Sequence, residues 1–212
     1  MNSDKKTIGL TINVGYLLSS IEFFFHESFE VPAWREHHHA DILDSLRMIA
    51  GVAPKLGVEE NDGAVAMGRV ACLVEEEKGH RGLRARLGRG KRVDTFDAAV
   101  KELRRVIGRA LLREGKDLVW WLDFGVAIFD VMVPTMRYHL KGESNPAAER
   151  LILAGAEDRL QMIREEILSN LPDLGGLRET FSELQELAMR GSIKDFLVVM
   201  LRLLLDFGIK VD

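Results

Sequence analysis

The fold class turns on one stretch, TIGLTINVGY, running from Thr7 to Tyr16. Ile8, Leu10, Ile12, Val14 and Tyr16 alternate with Thr7, Gly9, Thr11, Asn13 and Gly15. Alternation, β-branching and two glycines favour a half-buried strand. The residues that follow, LLSSIEFFF (Leu17 to Phe25), can extend a helix backwards over the same positions. A lone strand is unstable, so the strand reading needs a partner: the C-terminal FGIKVD, Phe207 to Asp212, or the same segment of a second subunit.

Outward from this stretch, apolar residues recur at helical spacing. They predict helices over about 16–29, 36–52, 62–79, 94–114, 116–140, 146–169, 174–190 and 192–207. Asn145 followed by Pro146 reads as an N-cap with proline in the first turn. Asp94 or Thr95 reads as the cap of the fourth helix, and Ser192 with Asp195 as a capping box using aspartate. Gly115, Gly142 and Gly191 mark stops. Pro134 falls inside the fifth helix and predicts a kink. The expected fold is mainly all-α, about eight helices packed as a bundle or array, with a short N-terminal β-element.

A chain of 212 residues, 47% hydrophobic, supports a core of ordinary size and is expected to form a single helical domain over 1–212. A weak two-half organisation, 1–115 and 116–212, is suggested by an echo between IAGVAPKL (Ile49 to Leu56) and LAGAEDRL (Leu153 to Leu160). Each follows a glycine-containing apolar segment, VGYLLSSI or FGVAIFDV. The two spacings differ by about six residues and the matched positions are mostly small or apolar, which chance also supplies.

The net charge of -4 gives no global field that would draw the chain to nucleic acid or an anionic membrane. Cys72 is the single cysteine, so an internal disulfide and a CxxC motif are both excluded and a reducing, cytoplasmic setting is expected. The N-terminal residues show no apolar core followed by a small-residue cleavage site, so no signal peptide is expected. LVWWLDFGVAIFDVMV (Leu118 to Val133) carries Asp123 and Asp130, and FLVVMLRLLLDF (Phe196 to Phe207) carries Arg202 and Asp206. Both are shorter than the roughly 20 clean residues of a span and read as buried helices.

Three stretches carry chemistry. In WREHHHAD (Trp34 to Asp41), Glu36 and His39 stand three apart, the Glu-x-x-His spacing of carboxylate-bridged di-metal bundles. Glu77 and His80 repeat it, with Glu22 and Glu27 beside His26 as further ligands. Glu36, His39, Glu77 and His80 are therefore the metal candidates, for a divalent transition metal. Solvated or locally paired histidines are the commoner arrangement, and Gly79 weakens the helix where the second motif needs it. A proton-linked role for His37, His38 and His39 is the intermediate reading.

The second stretch, Gly79 to Asp94, supplies Arg81, Arg84, Arg86, Arg89, Lys91 and Arg92 with no intervening acid, a candidate contact for phosphate or nucleic acid. It lacks the order of a P-loop and any interleaved aromatic residue. The third is the fifth helix, where Asp123, Asp130 and Arg137 form a polar stripe on an apolar cylinder, and Trp120 and Trp121 are candidates for core or interface. Asp123-Phe124-Gly125 matches a kinase tripeptide without any accompanying catalytic loop.

The expected function is a non-enzymatic helical protein-interaction module, an adaptor, regulatory or assembly subunit that forms a homo-oligomer and needs no cofactor. The alternatives are a metal-dependent helical-bundle enzyme using the two Glu-x-x-His motifs, and an anion or nucleic-acid binder using residues 81–92.

Overall fold

The computed structural model describes residues 5–78, 88–140, 142, 145–174 and 176–207. Among them are eight α-helices: α1 (Lys5–Glu30), α2 (Arg35–Val52), α3 (Glu60–Lys78), α4 (Arg89–Glu114), α5 (Lys116–Leu140), α6 (Pro146–Met162), α7 (Leu177–Arg190) and α8 (Ile193–Asp206). Short 3-10 turns at Pro32–Trp34, Ala53–Leu56 and Leu168–Asn170 and one π-turn at Ile163–Ile167 complete the described structure. The protein is all-α.

Residues 7–16, expected as a strand, are instead the first turns of α1, and no strand occurs among the described residues. Ile8, Thr11, Ile12 and Gly15 are buried, at i, i+3, i+4 and i+7. That is one face of a helix. The alternation misleads because two of the core positions are a threonine and a glycine, which a hydrophobic count passes over. The Thr11 hydroxyl donates to the Thr7 carbonyl oxygen at 2.9 Å, so it enters the core with its polar group satisfied.

The described residues form two compact units, residues 17–119 in one and residues 5–16 with 120–207 in the other. In the first, α2 packs on α3 and α3 on α4. Phe25 and Phe96 stack nearly parallel, at 3.6 Å between ring centroids. Val70, Val74, Leu103, Ile107 and Leu111 extend this core.

In the second unit, α6 packs on α7 and α7 on α8. Trp121, Phe124, Phe181 and Phe207 form a continuous aromatic core. Two glycines permit a close backbone approach in this unit. A Cβ on Gly15 would land on the Leu122 carbonyl oxygen, and a Cβ on Gly125 on the Ile12 carbonyl oxygen. Each carbonyl stands three residues before the other glycine, so the crossing is reciprocal.

Pro134 sits inside α5. Proline has no N–H, so the carbonyl four residues earlier loses its helical partner. The Arg159 guanidinium of α6 donates to that carbonyl oxygen, Asp130 O.

N-terminal capping by a side chain follows the sequence in two places, and Gly115 and Gly191 end their helices as expected. Asn145 accepts from the Ala147 and Ala148 amides, and Ser192 from the Asp195 amide. The expected start of the fourth helix at Asp94 or Thr95 is corrected: α4 begins at Arg89 behind Gly88 in the left-handed region, and Thr95 bonds back to the Lys91 carbonyl. By length and composition α1 and α5 are each apolar enough to cross a membrane, and more than half of the most apolar window of each is buried within the protein.

Candidate functional site

In the first unit, the C-terminal turns of α1, the start of α2, the end of α3 and the start of α4 carry most of the titratable groups that the sequence singles out. Glu30 pairs with Arg89, whose guanidinium holds the Glu30 carboxyl below its ordinary range. His26 Nε2 lies 2.8 Å from Asp97 Oδ1. Arg89 and Arg92 both stand over the Phe29 ring, at 5.4 and 5.6 Å from its centroid.

The innermost pair is Glu77 with Arg92. Arg92 Nε lies 2.7 Å from Glu77 Oε2, with the carboxylate side chain 1% exposed and the guanidinium 22%. The contact is close, but its angle is not that of a hydrogen bond. Among the described residues neither Glu77 oxygen receives one. The pair borders a cavity of about 160 Å³ lined by Phe25, Leu73, Glu76, Glu77, Lys91, Arg92 and Thr95.

The histidines separate by helix face. His37 is exposed, 3.7 Å from Asp41. His38 is buried, stacked on Phe24 at 5.4 Å between centroids and near Trp34. His39 is fully buried, and neither ring nitrogen has a hydrogen bond. Burial, with Lys78 and Arg35 adding to it, pushes the His39 imidazole down to about 4.

Of the metal candidates, Glu36 is exposed and His39 buried on the same helix, Glu77 is engaged with Arg92, and His80 lies outside the described residues. Among the described residues no three His, Cys, Asp or Glu side chains gather as a metal site. Of the arginine stretch, Arg81, Arg84 and Arg86 also lie outside the described residues, Arg89 and Arg92 are ion-paired, and Lys91 is exposed. The structure thus joins one residue of the metal set, Glu77, to the far end of the basic stretch. Trp120 is half-buried, and Trp121 is buried in the core of the second unit.

Two features escape motif reading, yet their signal is present. Val70, Val74 and Glu77 continue one core stripe of α3, and His39, Ile42, Leu46 and Ile49 one core stripe of α2. A polar residue in register with a buried stripe is buried with it.

His39 predicts a pH dependence. Its folded value, about 4, lies below the ordinary 6.5, so the folded chain excludes a proton that the unfolded chain binds in between. Its contribution is complete above pH 6.5 and is lost as the pH falls towards 4, by about 3 kcal/mol in all. Urea unfolding at pH 7.5, 6, 5 and 4 should show this loss, and His39→Leu should flatten it. An identical pH profile in the two proteins would dismiss the assignment.

No protein family, curated protein or solved structure matches the chain.

Proposed function

We propose that this protein is a non-enzymatic helical interaction module of the cytoplasm, an adaptor, regulatory or assembly subunit that works by associating with a second copy of itself. The reading rests chiefly on α8. One face of this helix is core: Ile193, Phe196, Leu197, Met200, Leu203 and Leu204 are buried. A second apolar seam runs along the other side. Val198 is 61% exposed, Leu205 65%, and Leu201 is half-buried between them.

These three positions stand at i, i+3 and i+7, the spacing by which one helix offers a seam to another. Lys194 precedes them in the same register, is exposed, and has a four-carbon stem of the kind that can lie along apolar surface. If two copies of α8 pair antiparallel, Val198 meets the partner's Leu201 and Lys194 the partner's Leu205. Asp195 then flanks the partner's Arg202 on both sides of the two-fold axis. Arg202 already holds Glu183 of its own chain at 2.5 Å, and its fork has donors to spare. The exposed thiol of Cys72 fits a reducing compartment.

Light scattering behind size exclusion at micromolar concentration tests this. A dimer is expected for the natural chain and a monomer for Val198→Lys with Leu205→Lys, with the helical circular dichroism unchanged. Asp195→Arg alone should weaken the dimer, and Asp195→Arg with Arg202→Asp should restore it. A natural chain that is monomeric at every concentration defeats the proposal.

A further inference from the structure

Lys101, Arg105, Arg109 and Arg113 occupy successive i, i+4 positions of α4, and all are exposed. Like charges at this spacing face one another and weaken a helix. Glu59 holds Arg113 at 2.9 Å. Glu102 is gripped by Arg105, whose Nη2 donates to Oε1 at 2.8 Å while Nε stands 2.8 Å from Oε2. Arg109 Nη2 lies 3.6 Å from the same Oε1. Arg69, exposed on the neighbouring α3, acts on this carboxyl too: Arg105 first, then Arg109 and Arg69, hold it below its ordinary range. One carboxylate thus serves three guanidiniums, and Lys101 has no ion-pair partner among the described residues.

The face is not purely cationic. Leu112, 54% exposed, stands at i+7 from Arg105, and Val65, 74% exposed, at i−4 from Arg69. Residues at these spacings share a helix face. Glu76, at i+7 from Arg69, is an exposed acid there. An unbroken phosphate backbone would meet Glu102 and Glu76 and gain nothing from two aliphatic side chains, and none of these residues is an aromatic that could stack a base. A helix carrying carboxylates one turn apart beside aliphatic residues matches the row in period, charge and hydropathy. We propose that the outer face of α3 and α4 docks the acidic amphipathic helix of a second protein, its carboxylates on Lys101, Arg105, Arg109 and Arg69 and its aliphatic residues on Leu112 and Val65.

This surface lies in the first unit and α8 in the second, so either association can fail without the other. The test is fluorescence anisotropy of the full chain with a synthetic helix-forming peptide of alanine, carrying glutamate at every fourth position and leucine directly before each glutamate. It is expected to bind, and the same peptide with glutamine for glutamate about tenfold more weakly. Duplex DNA should bind more weakly than the glutamate peptide. Salt raised from about 0.1 M to about 1 M shortens the screening length to about 3 Å and should remove the difference between the peptides. Amide shifts in nitrogen-15 spectra should centre on Arg69, Arg105 and Gly108.

Arg105→Gln with Arg109→Gln removes like charges from an exposed face and is expected to fold. It should weaken the glutamate peptide about tenfold. Arg150→Gln with Arg190→Gln, the same charge change at exposed positions of α6 and α7, should leave that affinity unaffected. Absence of binding, equal binding of the two peptides at low salt, tighter binding of the DNA, or unchanged affinity in the Arg105 and Arg109 variant would each overturn the proposal.

Discussion

Gly125→Ala is expected to cost about 3 kcal/mol or more, although a single methyl is added and alanine is the better helix former. The new Cβ would fall on the Ile12 carbonyl oxygen, a backbone atom of a second helix that has no rotamer to yield. The two helix segments would have to separate, opening contacts on both sides of the crossing. Gly15→Ala should behave alike, because its Cβ falls on the Leu122 carbonyl oxygen. The control is Gly108→Ala in α4, where nothing lies within 4 Å of the added carbon. There the usual helix preference should show as a gain of about 0.5–1 kcal/mol. Urea denaturation of the three variants decides the matter, and a Gly125→Ala protein within 1 kcal/mol of the natural chain would contradict the crossing.

Glu77→Ala is expected to lose about 3 kcal/mol. Removing one member of a buried ion pair leaves the other without compensation, a loss that runs to about 3–5 kcal/mol for fully enclosed pairs. Arg92 is 22% exposed and can recover part of its hydration, which places the effect at the lower end. Replacing both residues, Glu77→Leu with Arg92→Met, should restore most of the stability, because apolar packing serves a buried site as well as an ion pair does. By contrast, Glu59→Ala breaks the exposed pair with Arg113 and should leave stability unchanged within error. If Glu77→Ala and Glu59→Ala prove equally mild, the burial of the Glu77 carboxylate is disproved.

Helix existence was legible because it depends on local pattern. The spans 36–52, 116–140 and 192–207 follow from apolar spacing and caps that act within one turn, and they match α2, α5 and α8 within one residue at each end. The metal and basic candidates were legible only as residue types. Spacing along a chain shows that Glu36 and His39 are near one another, but whether a position is exposed or buried depends on what packs over it. Glu36 came out in solvent and His39 in the core.

By itself the sequence determined that the chain is helical, that no disulfide forms within it, and where α6 and α8 are capped, since each depends on residues close together or on composition. Only tertiary structure decided the state of residues 7–16. Their alternation suits a strand, and their small residues suit a helix that must approach another backbone closely. The close approach at Gly15 and Gly125 involves residues more than one hundred positions apart, so no local signal carries it. The same holds for Glu77 and Arg92. Their pairing depends on how α3 meets α4, and that meeting turns an acid of one candidate set and a base of another into a single buried pair.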